Sequence, residues 1–477
     1  MGRHRNLTKH IEDAPDGAQI GAFFDFDGTI ISGYSAIAFV REQVRKGQIS
    51  AKQFAELALL MTRFGIGDMG FSAFMMAATQ FLKGTTEQDY QAFSDAVYAS
   101  HIAQAVYPES RELIEAHIAK GHTVAIISSA TRYQISAAAD DLGIDIIKCT
   151  QVELEDGVFT GRVIQPTCFG VGKVTAAHEI CEQTPAKLED SFFYSDSTDD
   201  IELLEAVGYP RPLNPNKKLQ RISDQRDWPS VSFDSRGRAG WTQWVRSIAA
   251  TGSMATSFAA GLPILALTGS RRKAQNFSLS LFAETASALV GLDLEVTGEA
   301  HLWERRPAVF IFNHQSKADV LVVLQLLRKD LAGVGKKEIR NIPIVGQVME
   351  LGGTVLIDRK NAKSAIAAMQ PLVDVMQQEG KSVVLAPEGT RSVSTKLLPF
   401  KKGAFHIAMQ AGVPIVPIVI HNSIDMAPKG QFVFRPATVR VDILPPVDTR
   451  RWRKSSINKH INDVRQQFLD ALGQQEA

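Results

Sequence analysis

Short, nearly continuous apolar runs separated by helix-length stretches recur in two blocks along the 477 residues, and they constrain the fold more than any other feature. The first block holds IGAFF within residues 20–30, HTVAIIS at 122–128, residues 145–148 and SFFYS at 191–195. The second holds AVFIF at 308–312, GTVLI at 353–357, KSVVLA at 381–386, VPIVPIVI at 413–420 and residues 437–444. Except at 437–444, these runs lack polar alternation, which suits strands covered on both faces, as in parallel sheets. Helical stretches lie between them, and those at 109–120 and 132–142 stop at Gly121 and Gly143, the usual C-terminal signal. This alternation predicts two α/β domains, the first a doubly wound parallel sheet.

Two stretches break the pattern. Residues 34–105, rich in Ala, Met, Phe and Leu at helical spacing, predict an all-helical cap inserted after the first strand. Residues 211–240 bring prolines and charges, as expected where a domain ends and a linker begins. The expected boundaries are 18–234 for the first domain, 235–247 for the linker, 248–292 for a helical segment and 293–473 for the second domain. Within that segment, Ile248–Ser270 is uncharged and closed by Arg271, Arg272 and Lys273, about the length of a bilayer span. Gly252, Gly261 and Pro263 weaken its apolarity, while Leu279, Phe282, Ala286 and Leu289 share one helical face of 277–292. A helical pair dipping into one leaflet is expected, with the basic cluster at anionic headgroups; a buried soluble pair is the alternative.

Composition removes several function classes. With 45% hydrophobic residues, 22% charged residues and a formal charge of +1, the chain folds but lacks the basic excess of a nucleic-acid binder. Cys149, Cys168 and Cys181 form no Cys-x-x-Cys pair, which suits a reducing cytosolic setting. No apolar run follows the basic N-terminal residues, so no secretory signal is expected, and Asn6 spoils a myristoylation pattern.

The first strand runs into Asp25-Phe26-Asp27-Gly28-Thr29. Carboxylates at i and i+2 on the carboxyl end of a buried strand stand where α/β folds bind ligands. One can attack phosphorus while the other donates a proton to the leaving group, and hard oxygens of this kind also hold Mg²⁺. Ser128 ends HTVAIIS, Lys173 follows in FGVGK, Asp196 follows SFFYS, and Asp200 lies a helical turn further on. The Gly-x-Gly-Lys at 170–173 is not a phosphate-binding Walker loop, because Val174 stands where Ser or Thr is required. The ordered set resembles the haloacid-dehalogenase superfamily of phosphatases, in particular its phosphoserine-phosphatase-like branch with a helical cap. The resemblance implies Asp25 as nucleophile, Asp27 as general acid and base, and Ser128 and Lys173 as phosphate binders. It also implies a Mg²⁺ site made by Asp25, Asp27 and Asp196 with Asp200 in support. Asp199 departs from the frequent Asn, and no acidic residue follows Asp27 closely to hold a substrate ammonium. A larger or more apolar phosphomonoester than phosphoserine is therefore expected.

In the second block, His314 and Asp319 lie five positions apart where a strand turns into a helix, so the carboxylate can orient the imidazole as a base for an alcohol. Gly352 to Arg359, Pro387-Glu388-Gly389-Thr390-Arg391, and Val413 to Pro417 follow, with Lys336, Lys337, Glu338, Ile342, Pro343 and Gly346 between. This series resembles the glycerolipid acyltransferases, specifically 1-acylglycerol-3-phosphate acyltransferases, over about 245–470. It implies His314 as general base and Asp319 as its partner. Arg391 and Lys336 would meet the acceptor phosphate, within a loop organised by Glu388 with Gly389 and Thr390. Asp358-Arg359 can be acceptor-binding or structural, and Lys401 and Lys402 can touch phosphate or form a solvated turn. Acyl-CoA or acyl-carrier protein would be the co-substrate and a lysophospholipid the acceptor, at the cytoplasmic face of a membrane, with room for a homodimer. The expected protein is a bifunctional phospholipid-biosynthesis enzyme; an acyltransferase with an inactive or regulatory phosphatase-like domain is the alternative.

Overall fold

The computed structural model describes residues 7–47, 52–53, 55–56, 59–60, 62, 71–237, 239–336, 340–341, 353–357 and 370–474. The chain divides into two compact units, 1–238 and 239–477.

In the first unit the strands are β1 (Ile20–Phe24), β2 (Thr123–Thr131), β3 (Ile146–Thr150), β4 (Val152–Glu155), β5 (Val158–Val163), β6 (Lys187–Ser195) and β7 (Tyr209–Pro212). Five form a parallel sheet in the order β3-β2-β1-β6-β7. Every residue of β1 is buried, because helices cover both faces, and this is why its sequence shows no alternation. Gly21 is needed where β1 meets β6: its N–H donates to Ser191 Oγ at 2.9 Å, and a Cβ there would lie 2.5 Å from that oxygen. The register sets Phe24 level with Ile126 and Tyr194. Asp25 and Asp196, just past their strands, and Ser128 within β2 therefore lie within one residue of the same height on three adjacent strands.

The cap contains the helices Ser35–Arg45, Phe71–Thr79 and Glu87–Val97. It is not purely helical in its support, because it is seated on the antiparallel β4–β5 hairpin. Gly84 N–H donates to Phe159 O and Phe159 N–H to Thr85 O, both at 3.0 Å, and Thr79 Oγ1 donates to Gly161 O at 3.1 Å. Asp156 and Gly157, both at positive φ, make the hairpin turn, a recognisable Asp-Gly signal.

The second unit begins with two antiparallel helices, Trp241–Thr268 and Arg271–Val290. The expected linker 235–247 is thus helical from Trp241 onward. Gly269 at φ +63° ends the first helix, and Ser270 Oγ accepts from Lys273 N–H to begin the second. Ser247, Ala250, Ser253, Ser257 and Gly261 line the buried face of the first helix. A Cβ on Gly261 would lie 2.1 Å from Ser278 Oγ, so small side chains let the helices approach closely. Arg272 is tied to Asp330 at 2.6 Å and Glu379 O at 2.9 Å. Of the expected headgroup-facing cluster, Arg272 is thus bound to the α/β core, while Arg271 and Lys273 are exposed.

The strands that follow are β8 (Leu292–Thr297), β9 (Val309–Phe312), β10 (Leu331–Lys336), β11 (Val355–Ile357), β12 (Ser382–Leu385), β13 (Ile415–Ile420) and β14 (Ala437–Ile443). Their order is β11-β10-β12-β9-β13-β14-β8, with β13 and β14 the antiparallel pair. Phe310 and Phe312 of β9 enter one apolar cluster with Ile418 and Ile420, while Val309 and Ile311 enter another with Ile415 and Val419. Alternate residues feed opposite faces, and both faces are packed.

Candidate active sites

At the carboxyl edge of the first sheet, Lys173 Nζ donates to Asp25 Oδ1 and to Asp200 Oδ2, each at 2.8 Å. Ser195 Oγ donates to the same Asp200 oxygen at 2.6 Å. Asp200 thereby holds the lysine against Asp25. Burial works against the charge on Lys173, yet Asp200 and Asp25 outweigh it and the ammonium pKa is raised. Asp27 accepts from Ser35 N–H at 2.7 Å and from Ser35 Oγ at 3.0 Å. Gly28, at φ +78°, lets Asp196 close in, for a Cβ there would lie 2.2 Å from Asp196 Oδ2. Ser128 is buried within β2, short of the strand end that its sequence run suggested, and its Oγ accepts from Ala130 N–H at 3.3 Å.

The acids outnumber the ammonium of Lys173, and burial beside one another disfavours their charge. Burial raises Asp25 against the pull of Lys173. Burial, then Asp25 and Asp200, push Asp196 up to about 8, and burial pushes Asp27 up to about 7. Among the described residues no three His, Cys, Asp or Glu side chains already stand in metal-ligating geometry. The donor set nevertheless fits a hard divalent cation: oxygen ligands, excess buried negative charge, and a glycine that brings Asp196 to the loop of Asp25 and Asp27.

Residues not anticipated also face this site. Tyr34 stands beside Ser35 with its ring partly in solvent; partial burial of the phenol, then Asp196 and Asp27, raise its pKa. Ser35 and Gln134 form a chain to Asp27. The Thr131-x-x-Gln134 spacing was the sequence signal for part of it, since it forms a capping box.

In the second unit, β9 ends at Phe312, and Asn313 extends its pairing with β13. Its Nδ2 donates to Ile420 O and its Oδ1 accepts from Ile420 N–H, both at 2.7 Å. This fixes the start of the turn that carries His314. Asp319, fully buried, lies 2.7 Å from His314 Nδ1. The same Oδ2 accepts from the N–H groups of Gln315 and Ser316 at 2.8 and 2.9 Å, and Ser423 Oγ donates to Oδ1. A carboxylate so placed makes Nδ1 the protonated nitrogen and leaves Nε2 as the basic one. Ser423 carries no local motif, so only the fold reveals it.

Glu388 ties two loops to this turn by accepting from His314 N–H at 2.6 Å and Leu398 N–H at 3.1 Å. Burial pushes its carboxyl up to about 7 despite these bonds. Gly389, at φ +73°, lies under Lys401, whose Nζ would be 2.8 Å from a Cβ there. Thr390 is exposed. Arg391 Nη1 is buried without a hydrogen-bond partner among the described residues, and Lys429 Nζ donates to Arg391 O at 2.8 Å. Lys317, also not anticipated, holds its ammonium 5.6 Å from the Phe432 ring, and partial burial and then Arg391 lower its pKa. The side chain of Lys336 lies outside the described residues, as do Lys337, Glu338, Ile342, Pro343, Gly346, Gly352, Asp358 and Arg359.

A carboxylate-and-lysine cluster and a histidine–aspartate pair thus sit on two α/β units. The chain matches the haloacid dehalogenase-like hydrolase family over residues 22–205 and the acyltransferase family over residues 293–421. It is 33% identical over 208 residues to the 1-acyl-sn-glycerol-3-phosphate acyltransferase of Saccharomyces cerevisiae, covering 43% of this chain and 68% of that one. It is 34% identical over 210 residues to 1-acyl-sn-glycerol-3-phosphate acyltransferase alpha of Mus musculus, covering 44% and 73%. For the relative from Cocos nucifera the match spans 58% of that protein's length. A solved 1-acyl-sn-glycerophosphate acyltransferase from Thermotoga maritima aligns with a TM-score of 0.40 at 26% identity, over 49% of this chain and 99% of that one. The chain belongs to the 1-acyl-sn-glycerol-3-phosphate acyltransferase family through its second unit, and its first unit is a haloacid dehalogenase-like hydrolase domain.

Proposed function

We propose that the second unit transfers an acyl chain from acyl-CoA or acyl-carrier protein to the free hydroxyl of 1-acylglycerol 3-phosphate, giving phosphatidic acid. The observation that carries this reading is the buried Asp319 at 2.7 Å from His314 Nδ1, with Ser392 N–H on His314 O at 2.7 Å and, next to Ser392, an Arg391 whose Nη1 is buried with no hydrogen-bond partner among the described residues. His314 Nε2 takes the hydroxyl proton as the oxygen attacks the thioester carbonyl. The new C–O bond forms, the C–S bond breaks, and the thiolate leaves with the proton that His314 held. Asp319 supports the imidazolium, and Arg391 offers a planar fork to the acceptor phosphate.

We infer further that the first unit hydrolyses a phosphomonoester. Asp25 attacks phosphorus, the ester oxygen departs with a proton from Asp27, and water then cleaves the acyl-phosphate as Asp27 takes its proton. Lys173, held by Asp200, offsets the charge around Asp25. Mg²⁺, when bound, supplies charge neutralisation and phosphate alignment; Asp25, Asp27 and Asp196 would hold it, with Asp200 behind them.

A membrane-surface location, at the cytoplasmic face, suits a lipid acceptor. It is supported by the Trp241–Thr268 helix, long and apolar enough to cross a bilayer, with 22% of its most apolar stretch buried. That figure disfavours a buried soluble pair. Trp241 and Leu267 are 78% and 84% exposed.

Two substitutions in the full chain test the assignment. Asp25→Asn is expected to abolish phosphate release from a phosphomonoester panel and spare acyl transfer, and His314→Ala to do the reverse. Absence of phosphate release by the unmodified chain would instead favour a regulatory or inactive first unit.

A further inference from the structure

Residues 426–435 of the second unit form a loop that Arg435 N–H closes on Met426 O at 2.8 Å. Its tip is a tight turn in which Gln431 N–H donates to Pro428 O at 3.1 Å and Gly430 takes φ +98°. Two bonds seat the loop on the segments that carry His314 and Arg391. Ser316 Oγ donates to Ala427 O at 2.7 Å, and Lys429 Nζ donates to Arg391 O at 2.8 Å. Just before the loop, Ser423 Oγ donates to Asp319.

Three cations meet where these segments join: Lys317 from the turn after His314, Arg391, and Lys429 from the loop. The Lys317 ammonium lies 5.6 Å from the centre of the Phe432 ring, and Arg391 stands near enough to add to the effect of partial burial in lowering its pKa. The carbonyl of Arg391 holds Lys429 in place and uses only part of its capacity to donate. Among the described residues none of the three side chains forms an ion pair, and Arg391 Nη1 is buried without a hydrogen-bond partner. The acids close by in sequence are committed elsewhere. Asp319 serves His314, two amides and Ser423, while Glu388 accepts from the amides of His314 and Leu398. Like charges gathered without a counter-charge repel one another, and a buried donor left unpaired costs its desolvation. An anion seated among them relieves both.

The flank of the cluster is apolar. The Phe432 ring stacks on Trp244 of the helix Trp241–Thr268 with centroids 6.0 Å apart, and both rings are half-exposed. Phe434 N–H donates to Ser247 Oγ of the same helix at 2.8 Å, which fixes the loop to it. Cations beside an aromatic ledge suit an amphiphile with an anionic end.

We propose that Lys317 and Lys429 are specificity-determining residues that join Arg391 to select the terminal phosphomonoester of the acceptor over a phosphodiester headgroup, while the acceptor's hydrocarbon lies along Phe432 and Trp244. This rests on the acyltransferase reading above. A phosphomonoester carries a charge of about −1.5 to −2 at pH 7 and three free oxygens, enough for three cations. A diester offers a single charge and two free oxygens.

The test assays the full chain with acyl-CoA and lysophosphatidate, with lysophosphatidylglycerol as a competing diester. Lys317→Ala is expected to raise KM for lysophosphatidate about tenfold or more, in keeping with a lost hydrogen bond to a charged group. It should move kcat, KM for acyl-CoA and Ki for lysophosphatidylglycerol far less. Lys429→Ala is expected to act in the same direction, and Lys317→Arg to restore most of the affinity. A rise in KM for acyl-CoA in place of the lipid would put the donor's phosphates on these cations and overturn the proposal. Equal weakening of both lipids, or no change in any constant for Lys317→Ala, overturns it as well. If the unmodified chain forms no phosphatidic acid, the acyltransferase reading fails, and this inference with it.

Discussion

Asp319 accepts from His314 and from the amides of Gln315 and Ser316 while Ser423 donates to its other oxygen, so its charge supports both the imidazole and the turn beneath it. Asp319→Asn is expected to cut acyl transfer by roughly a thousandfold or more, as when an orienting carboxylate is neutralised and the imidazole tautomer is lost. An unchanged melting temperature would separate this loss from unfolding. Glu388 gives a pH signature in the same site. Its folded pKa of about 7 stands above its ordinary value of 4.5 because of burial. The folded state therefore binds the proton more tightly, and its contribution is present at acidic pH and is lost as pH rises through about 7. Asp27 and Asp196 are raised in the same way, so melting temperatures between pH 5 and 8 should fall in the unmodified chain, and Glu388→Gln should lessen the fall.

Among the elements, the helix pair is the one whose outward face most needs a partner. Its inner face is built of Ser, Ala and Gly, and Gly261 admits no side chain larger than its own hydrogen against Ser278. Its outer face carries exposed Trp241, Trp244, Ile248, Leu262 and Leu267. Replacing Trp241, Trp244 and Leu267 together with Ser is expected to reduce flotation with anionic liposomes at least tenfold, since each large apolar side chain contributes about 1.5–3 kcal/mol when taken from water. Undiminished flotation would count against this face as the lipid contact. Strands with strong apolar runs, such as β1, β9 and β13, were legible in the sequence because both of their faces are packed. The strands β7, β8 and β10 were not. Tyr209–Pro212 is short and proline-bearing, Leu292–Thr297 carries charges on an edge, and Leu331–Lys336 is diluted by glycine. The helical start at Trp241 was hidden by the charged and glycine-rich residues just before it.

For the whole molecule, two sheets each bring distant residues to one carboxyl edge, and this level of organisation was readable where strand ends carry the chemistry. Asp25, Ser128 and Asp196 follow from register, and His314 with Asp319 from a turn between strand and helix. Contacts made between side chains of different loops and elements were not readable. Ser35 on Asp27, Ser423 on Asp319 and Lys401 over Gly389 depend on packing that no local pattern encodes. If His314 makes a lipid acyltransferase of the second unit, the product itself will show it. Purified full chain incubated with lysophosphatidate and acyl-CoA should yield phosphatidic acid by mass spectrometry, equally from the unmodified chain and Asp25→Asn, and none from a folded His314→Ala. Phosphatidic acid formed at an undiminished rate by His314→Ala would mean that the imidazole is not the base.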